Sequence, residues 1–358
     1  MYHFRNLVFE GGGVKGLGYV GALNALNKKD STILPNIKRI GGASAGAITA
    51  ILVGLNYSTT EIEKILMDLN FKNFLDDSWG MIRDTKRLIK DYGWYKGKFF
   101  RQWIGNTIKN KTGNSESTFK DIYNMKQENG FKDMYFIGTN LSTKFSEVFS
   151  YEHTPDMCVA DAVRMSMSIP LFFEAVKSPR GDVYVDGGVL NNYPVRLFDR
   201  EKYILEENRN IKGNINITSL ETDYYKAHND KLKQQGKEIS NYIFNKETLG
   251  FRLDSAKEIG IFRYQEPISE KIDHLFNYTK SLVNTIMEFQ QNLHLNSDDW
   301  QRTIYVDTLG VKTTDFDISD ERKKELIKSG EEGIKKYFDW YDKQASTPIN
   351  KPSASFTH

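Results

Sequence analysis

Three glycine-marked sites hold the residues whose types and spacing suit chemistry. The first is Gly11-Gly12-Gly13-Val14-Lys15-Gly16, which separates a short apolar run from a helix-like pattern. Consecutive glycines let the backbone pass close to a ligand. The N–H groups at the start of the following helix aim at an anion. The same string fits G-x-G-x-x-G, which alone is a weak sign of dinucleotide binding. The second site is Gly42-Ala43-Ser44-Ala45-Gly46, where an apolar strand turns abruptly into a helix of small residues. That context suits a nucleophile elbow, with a serine on a strained turn and glycines two residues to either side. The helix behind it places partial positive charge near the serine oxygen. The plainer alternative is a structural turn with an inert serine. The third site, Asp186-Gly187-Gly188, ends another short apolar run and by itself is only a turn signal.

Two enzyme classes can be weighed against these sites. A dinucleotide-binding unit wants an acid at the end of its second strand, about 20 residues past the first glycines. Here Asp30 has the right count but precedes that strand, and the strand end is occupied by Ser44. A nucleotide-binding oxidoreductase is therefore a poor fit. A conventional α/β-hydrolase orders its triad as serine, acid, histidine, with several strands before the serine. Ser44 follows only two expected strands. His3, His153, His228, His274, His294 and His358 read as surface or structural residues, since none sits in a glycine-marked turn.

The elements that would position these sites alternate strand and helix. Asn6–Glu10 and Asn36–Ile40 read as buried strands, and Leu17–Leu26 and Ala45–Leu55 as helices. That order at short spacing predicts parallel βαβ units. Residues 57–110 look helical and rich in aromatics, among them Phe71, Phe74, Trp79, Trp94, Phe100 and Trp103. These are expected to pack as the helical cover of the sheet, with a lid or membrane-docking surface as the alternative. Met134–Gly138, Glu147–Ser150, Val183–Val185 and Thr303–Asp307 read as strands. Val159–Ser166 reads as a helix stopped by Pro170, Lys271–Leu295 as helical, and Ser319–Tyr341 as an amphipathic helix with Leu326, Ile327, Ile334, Tyr337 and Phe338 on one face. The polar stretch 200–241 is expected to be a surface excursion, partly helical and mobile. The segment 343–358 is expected to be a disordered tail.

Composition sets the boundaries. With 358 residues and a formal charge of +2, the chain is near neutral for its size and shows no basic groove for nucleic acid. One cysteine, Cys158, cannot make an internal disulfide and reads as a small packed residue. There is no cleavable leader pattern and no run of 18 apolar residues. The expectation is a cytoplasmic protein; export without a cleaved signal would leave no mark here. No calcium loop of the D-x-D-x-D-G type is visible, so no metal is expected and activity should survive excess chelator.

Taken together, the loop at 11–16, GASAG at 42–46 and DGG at 186–188 resemble the patatin-like phospholipases. The segments AVRMSMSIPLFFEAV (162–176), DGGVLNNYPV (186–195) and TLGFRL (248–253) are similar to that family too. The resemblance is firm over residues 5–200. The third motif carries Gly188 where many relatives have alanine, which leaves the aspartate unaffected. The resemblance implies a three-layer α/β/α fold with a central, mostly parallel sheet and helices on both faces. It implies a catalytic core over 1–200, with 201–342 packed on the same domain. It also implies a Ser–Asp dyad without histidine: Ser44 as nucleophile, Asp186 as base, and Gly11, Gly12, Gly13 and Gly16 around the oxyanion. Gly42, Gly46, Gly187 and Gly188 would serve the turns. Lys15 is expected to turn outward or to tie down the loop, with a place near the oxyanion or on lipid phosphate as the alternative. The implied activity is hydrolysis of fatty-acyl esters of phospholipid or lysophospholipid, with peripheral membrane contact and no cofactor. A lipid-binding protein with a catalytically silent pocket is the alternative.

Overall fold

A computed structural model describes residues 2–75, 92–204, 219–220, 223–235, 240–255 and 298–343, with a few positions between 272 and 286. The expected helix at 271–295 and the tail beyond 343 lie largely or wholly outside the described residues, as does Trp79.

An eight-stranded sheet forms the centre. Its strands are β1 (Asn6–Phe9), β2 (Arg39–Gly42), β3 (Asp133–Asn140), β4 (Phe145–Ser150), β5 (Val176–Lys177), β6 (Val183–Asp186), β7 (Thr248–Asp254) and β8 (Thr303–Asp307). The order is β8-β7-β1-β2-β3-β6-β5, with β4 also paired to β3. From β8 to β3 all pairings are parallel, while β4, β6 and β5 join antiparallel. The fold is thus α/β with a mostly parallel sheet. The chain first builds outward from β1 to β2 and β3, then returns to place β7 on the other side of β1. In open α/β sheets ligands bind beyond the carboxyl ends of the strands at such a reversal. The glycine loop at 11–16 leaves β1 at that place.

Burial explains the strand sequences. β1 and β7 are buried at every residue, as central parallel strands covered on both faces must be. On one face lie the helices Gly18–Lys29, Ala45–Gly54, Val159–Ser166 and Asp320–Lys343. Leu326, Ile334, Tyr337 and Phe338 of the last helix belong to the main core. On the other face, Val8 and Tyr135 pack with Phe198 and Tyr203 from the short turns Val195–Phe198 and Glu201–Tyr203.

Several elements differ from expectation. Strand β2 starts at Arg39 because residues Ile33–Asn36 form a helical turn instead. The 57–110 region is not uniformly helical. It holds helices Thr59–Met67 and Lys98–Thr112, and a strand Gly93–Tyr95 that pairs with Leu171–Phe173. Strand β7 stood out only as a segment similar to the family, although Leu249, Phe251 and Leu253 alternate with Thr248, Gly250, Arg252 and Asp254; all seven residues are buried, the polar ones included. The surface stretch 200–241 does hold a helix as expected, Asp223–Gln234.

Candidate active site

Strand β3 brings the second and third motifs together. Along Tyr135–Asn140 one edge of β3 is taken by β4. On its other edge β2 pairs with Asp133–Phe136 and β6, running the opposite way, with Gly138–Asn140. The two strands therefore end toward each other. Gly42 closes β2 opposite Phe136, and Asp186 closes β6 opposite Gly138. Ser44 stands two residues past Gly42, so the turn it occupies faces the end of β6.

Ser44 adopts φ 51° and ψ −127° and is the residue before helix Ala45–Gly54. For a residue with a side chain this conformation costs about 1–3 kcal/mol and persists only where neighbours enforce it. The flanking glycines are part of that enforcement. A Cβ on Gly42 would lie 2.4 Å from the carbonyl carbon of Gly46, and one on Gly46 would lie 2.3 Å from the oxygen of Phe9. The Ser44 N–H donates to Oγ of Ser166 at 3.1 Å, and its hydroxyl donates to Sδ of Met167 at 3.5 Å.

Asp186 is completely buried. Its Oδ1 accepts from the Gly188 N–H at 2.7 Å, while Oδ2 is buried with no hydrogen-bond partner. Burial pushes its carboxyl up to about 7, against the weaker opposing pull of the Gly188 N–H and of the nearby Ser44 hydroxyl. Its backbone is fixed separately, with the Asp186 N–H on the Ser168 carbonyl at 2.8 Å. Gly187 turns where a side chain would strike the Ile137 carbonyl, 2.2 Å from a Cβ.

The glycine loop corrects the expected set of oxyanion donors. The Gly11 N–H is already bonded to the Asn192 carbonyl at 3.0 Å, so it is not a donor to a ligand. Gly11 matters instead by close approach, since a Cβ there would sit 2.9 Å from Cβ of Ser44. Gly16 lies in the turn Gly13–Leu17 and packs against Ala45. Among the described residues the N–H groups of Gly12, Gly13 and Ala45 make no hydrogen bond, which leaves three amides for a developing negative charge. Lys15 does not turn outward. It is 8% exposed, and its side chain lies over Gly12.

The remaining candidates fall away from this point. Of the histidines, His3, His153 and His228 are described, and none bonds to Ser44 or Asp186; His153 pairs with Ser150. Asp30 accepts from the Thr32 N–H and hydroxyl in an exposed turn, away from any strand end where a ribose would lie. Phe71, Phe74 and Phe100 are core residues, as their plainer reading held. Phe173 is buried, and Phe172 stacks on Phe316 and leans on Tyr95 at a tilt. Cys158 is half-buried beside Arg101 at 3.4 Å.

Two groups of positioning residues were not recognised from sequence. Ser166, Met167 and Ser168 bind the Ser44 amide, the Ser44 hydroxyl and the Asp186 amide in turn, while the Ser166 carbonyl also accepts from Gly187 at 3.4 Å. Asn192 grips the glycine loop from both sides: its carbonyl accepts from the Gly11 N–H, and its Nδ2 donates to the Gly11 carbonyl at 3.1 Å. Their only sequence signal was membership of the family-like segments.

A family model described as patatin-like phospholipase matches residues 7–199. Among curated proteins, the chain is 36% identical over 196 residues to an uncharacterized protein of Acanthamoeba polyphaga mimivirus, covering 54% of this chain and 61% of that one. It is 28% identical over 197 residues to a probable lipid hydrolase of Invertebrate iridescent virus 6, covering 54% of this chain and 63% of that one. The matched region thus spans less than two thirds of either viral relative. Among solved structures, VipD from Legionella pneumophila superposes with a TM-score of 0.56 at 18% identity, over 95% of this chain and 67% of that one, a likeness of fold.

Proposed function

We infer the function from one premise: the chain belongs to the patatin-like phospholipase family, a family of lipid hydrolases. In our reading it cleaves fatty-acyl esters of phospholipid or lysophospholipid with a Ser–Asp dyad. The observation that carries this is Asp186, a buried carboxyl with one unpartnered oxygen, held at the end of β6 facing a serine on a strained elbow.

The steps follow from the groups present. Ser44 Oγ attacks the acyl carbonyl carbon and its proton passes to Oδ2 of Asp186. Charge gathers on the former carbonyl oxygen, where the free N–H groups of Gly12, Gly13 and Ala45 supply donors. Such donors are each worth about 2.7–4 kcal/mol of barrier. Collapse of the intermediate expels the alcohol, which takes the proton back from Asp186. A water then gives one proton to Asp186 and attacks the acyl-serine; collapse breaks the ester bond to Oγ, the fatty acid leaves, and Asp186 returns the proton to Ser44 Oγ. A carboxylate of ordinary pKa, about 3.9, is a weak base at neutral pH. One raised to about 7 by burial is matched to the task.

In this reading residues 1–200 carry the machinery, and 201–342 complete the same domain through β7 and β8. The enzyme would meet its substrate by peripheral contact with a lipid surface on the cytoplasmic side. Among the described residues no helix is long and apolar enough to cross a membrane. The test is product analysis by mass spectrometry on mixed phospholipids, comparing the chain with Ser44→Ala. Free fatty acid and lysolipid from the first alone support the reading. Equal release from both defeats it, and covalent labelling of Ser44 without turnover would favour a silent lipid-binding pocket.

A further inference from the structure

The end of the sheet that holds the candidate site also carries two apolar side chains left in water. Leu141 and Phe145 are 48% and 69% exposed, and Phe145 is the most exposed large hydrophobic residue among those described. They flank the tip of the β3–β4 hairpin. Hydrogen bonds hold this tip in shape. The Lys144 N–H closes the turn on the Asn140 carbonyl at 2.8 Å. Oδ1 of the buried Asn140 accepts from Ser142 and Thr143 at 2.9 and 3.1 Å. The Leu141 N–H reaches the Val183 carbonyl at 2.8 Å, and the Val183 N–H returns to the Ser142 hydroxyl at 3.0 Å.

Cations surround the tip. Lys144 sits on it, exposed, with φ 66°. The neighbouring turn Ser178–Asp182 presents exposed Arg180, and exposed Lys177 lies opposite Val183 with its Nζ 5.9 Å from the ring centre of exposed Tyr92. Of the nearby carboxylates, Glu147 is engaged with Asn140 and Tyr184 at 2.8 and 2.7 Å, and Asp182 is half-buried. Because β3 is parallel to β1 and β2, the tip projects beyond the strand ends that hold Ser44 and the glycine loop. Leu141 is three residues past Gly138, the partner of Asp186, about 10 Å at the rise of a strand.

We propose that this hairpin tip and the adjoining Ser178–Asp182 turn dock the protein on an anionic phospholipid bilayer. Leu141 and Phe145 enter the interface, and Lys144, Lys177 and Arg180 face the headgroup phosphates. A few apolar side chains ringed by long cations match a bilayer surface, where apolar insertion and charge act together. A stable folded partner would need a broader patch with a packed apolar centre. The proposal rests on the lipid-hydrolase reading, and it moves the interface away from the aromatics at 71–103, many of which are packed inside the protein.

Flotation with vesicles tests it, using the Ser44→Ala chain so that the lipid is not consumed. The probe is phosphatidylcholine containing about one fifth phosphatidylserine, against phosphatidylcholine alone. The chain should float with the anionic vesicles and less with the neutral ones. Leu141→Ser with Phe145→Ser should reduce binding by about tenfold, and Lys144→Glu by several-fold, more at low salt than at high. With Ser44 intact, both variants should hydrolyse a soluble short-chain ester at the parent rate. Failure of the parent to float with either vesicle, or equal flotation of both variants and parent, overturns the proposal. Flotation as expected without hydrolysis of any ester leaves the docking surface standing and removes the catalytic reading.

Discussion

Two buried aspartates on this fold are held in opposite ways. Asp186 and Asp199 are both completely shielded from solvent. Around Asp199 every need is met. Arg302 reaches both its oxygens at 2.5 and 2.8 Å, the Asn245 N–H donates at 3.2 Å, and the Tyr225 hydroxyl adds a further bond. Arg302 is itself shared with Asp299 at 2.6 Å. Asp186 has one backbone N–H and an oxygen with no partner. The fold can thus neutralise a buried carboxylate where it ties segments together. Beside Ser44 it leaves one uncompensated, which raises its proton affinity and keeps one oxygen free to take a proton.

The contrast can be broken most forcefully by mutation. Ser44→Ala and Asp186→Asn should each lower ester hydrolysis by about 10⁴-fold or more while the protein still folds, as read by turnover and circular dichroism together. Asp199→Ala should do the reverse in kind: it should cost about 3 kcal/mol of stability by leaving Arg302 with Asp299 as its carboxylate partner and the buried Tyr225 hydroxyl without this acceptor, visible as a lowered denaturation midpoint. If Asp199→Ala unfolds nothing and Asp186→Asn destabilises, the two roles have been assigned backwards.

Acidity sharpens the same comparison. A carboxyl raised from its ordinary value of 3.8 to about 7 in the fold binds more protons native than unfolded across that window. Its contribution to stability is therefore complete below pH 4 and is lost as pH rises through about 7. Asp186→Asn should remove this part of the pH dependence and be the more stable form at pH 8 by about 2–4 kcal/mol, measured by denaturant titration. Activity should move the opposite way, rising through about pH 7 as the base form appears. The smallest effect belongs to the supports. Ser166→Ala removes the acceptor of the Ser44 N–H and should lower kcat by about tenfold with KM little changed.

Much of the site was legible in the sequence because strained turns demand particular residues. Gly42 and Gly46 are required by the backbones pressed against them, so the elbow announced itself. The aspartate did not: Asp186-Gly187 reads as any turn, and only the pairing of β6 beyond the end of β2 gives it meaning. Gly11 shows the limit of motif reading, since its amide is consumed by Asn192, a residue 181 positions away. Asp199 and Arg302 meet across 103 positions, a contact no local pattern encodes. Strand β7 misleads in a different way: Leu249, Phe251 and Leu253 alternate with Thr248, Gly250, Arg252 and Asp254 as on a half-exposed strand, yet Arg252 and Asp254 are buried as an ion pair.

The central claim is that Asp186 activates Ser44, and one measurement addresses it directly. The chain and Asp186→Asn are exposed to an alkyl fluorophosphonate, and intact-protein mass spectrometry follows adduct formation between pH 5 and 9. The account predicts a single adduct on Ser44 whose rate of formation climbs through about pH 7, and little or none in Asp186→Asn. Labelling of Asp186→Asn at the parent rate, or a parent rate flat across that range, would contradict it.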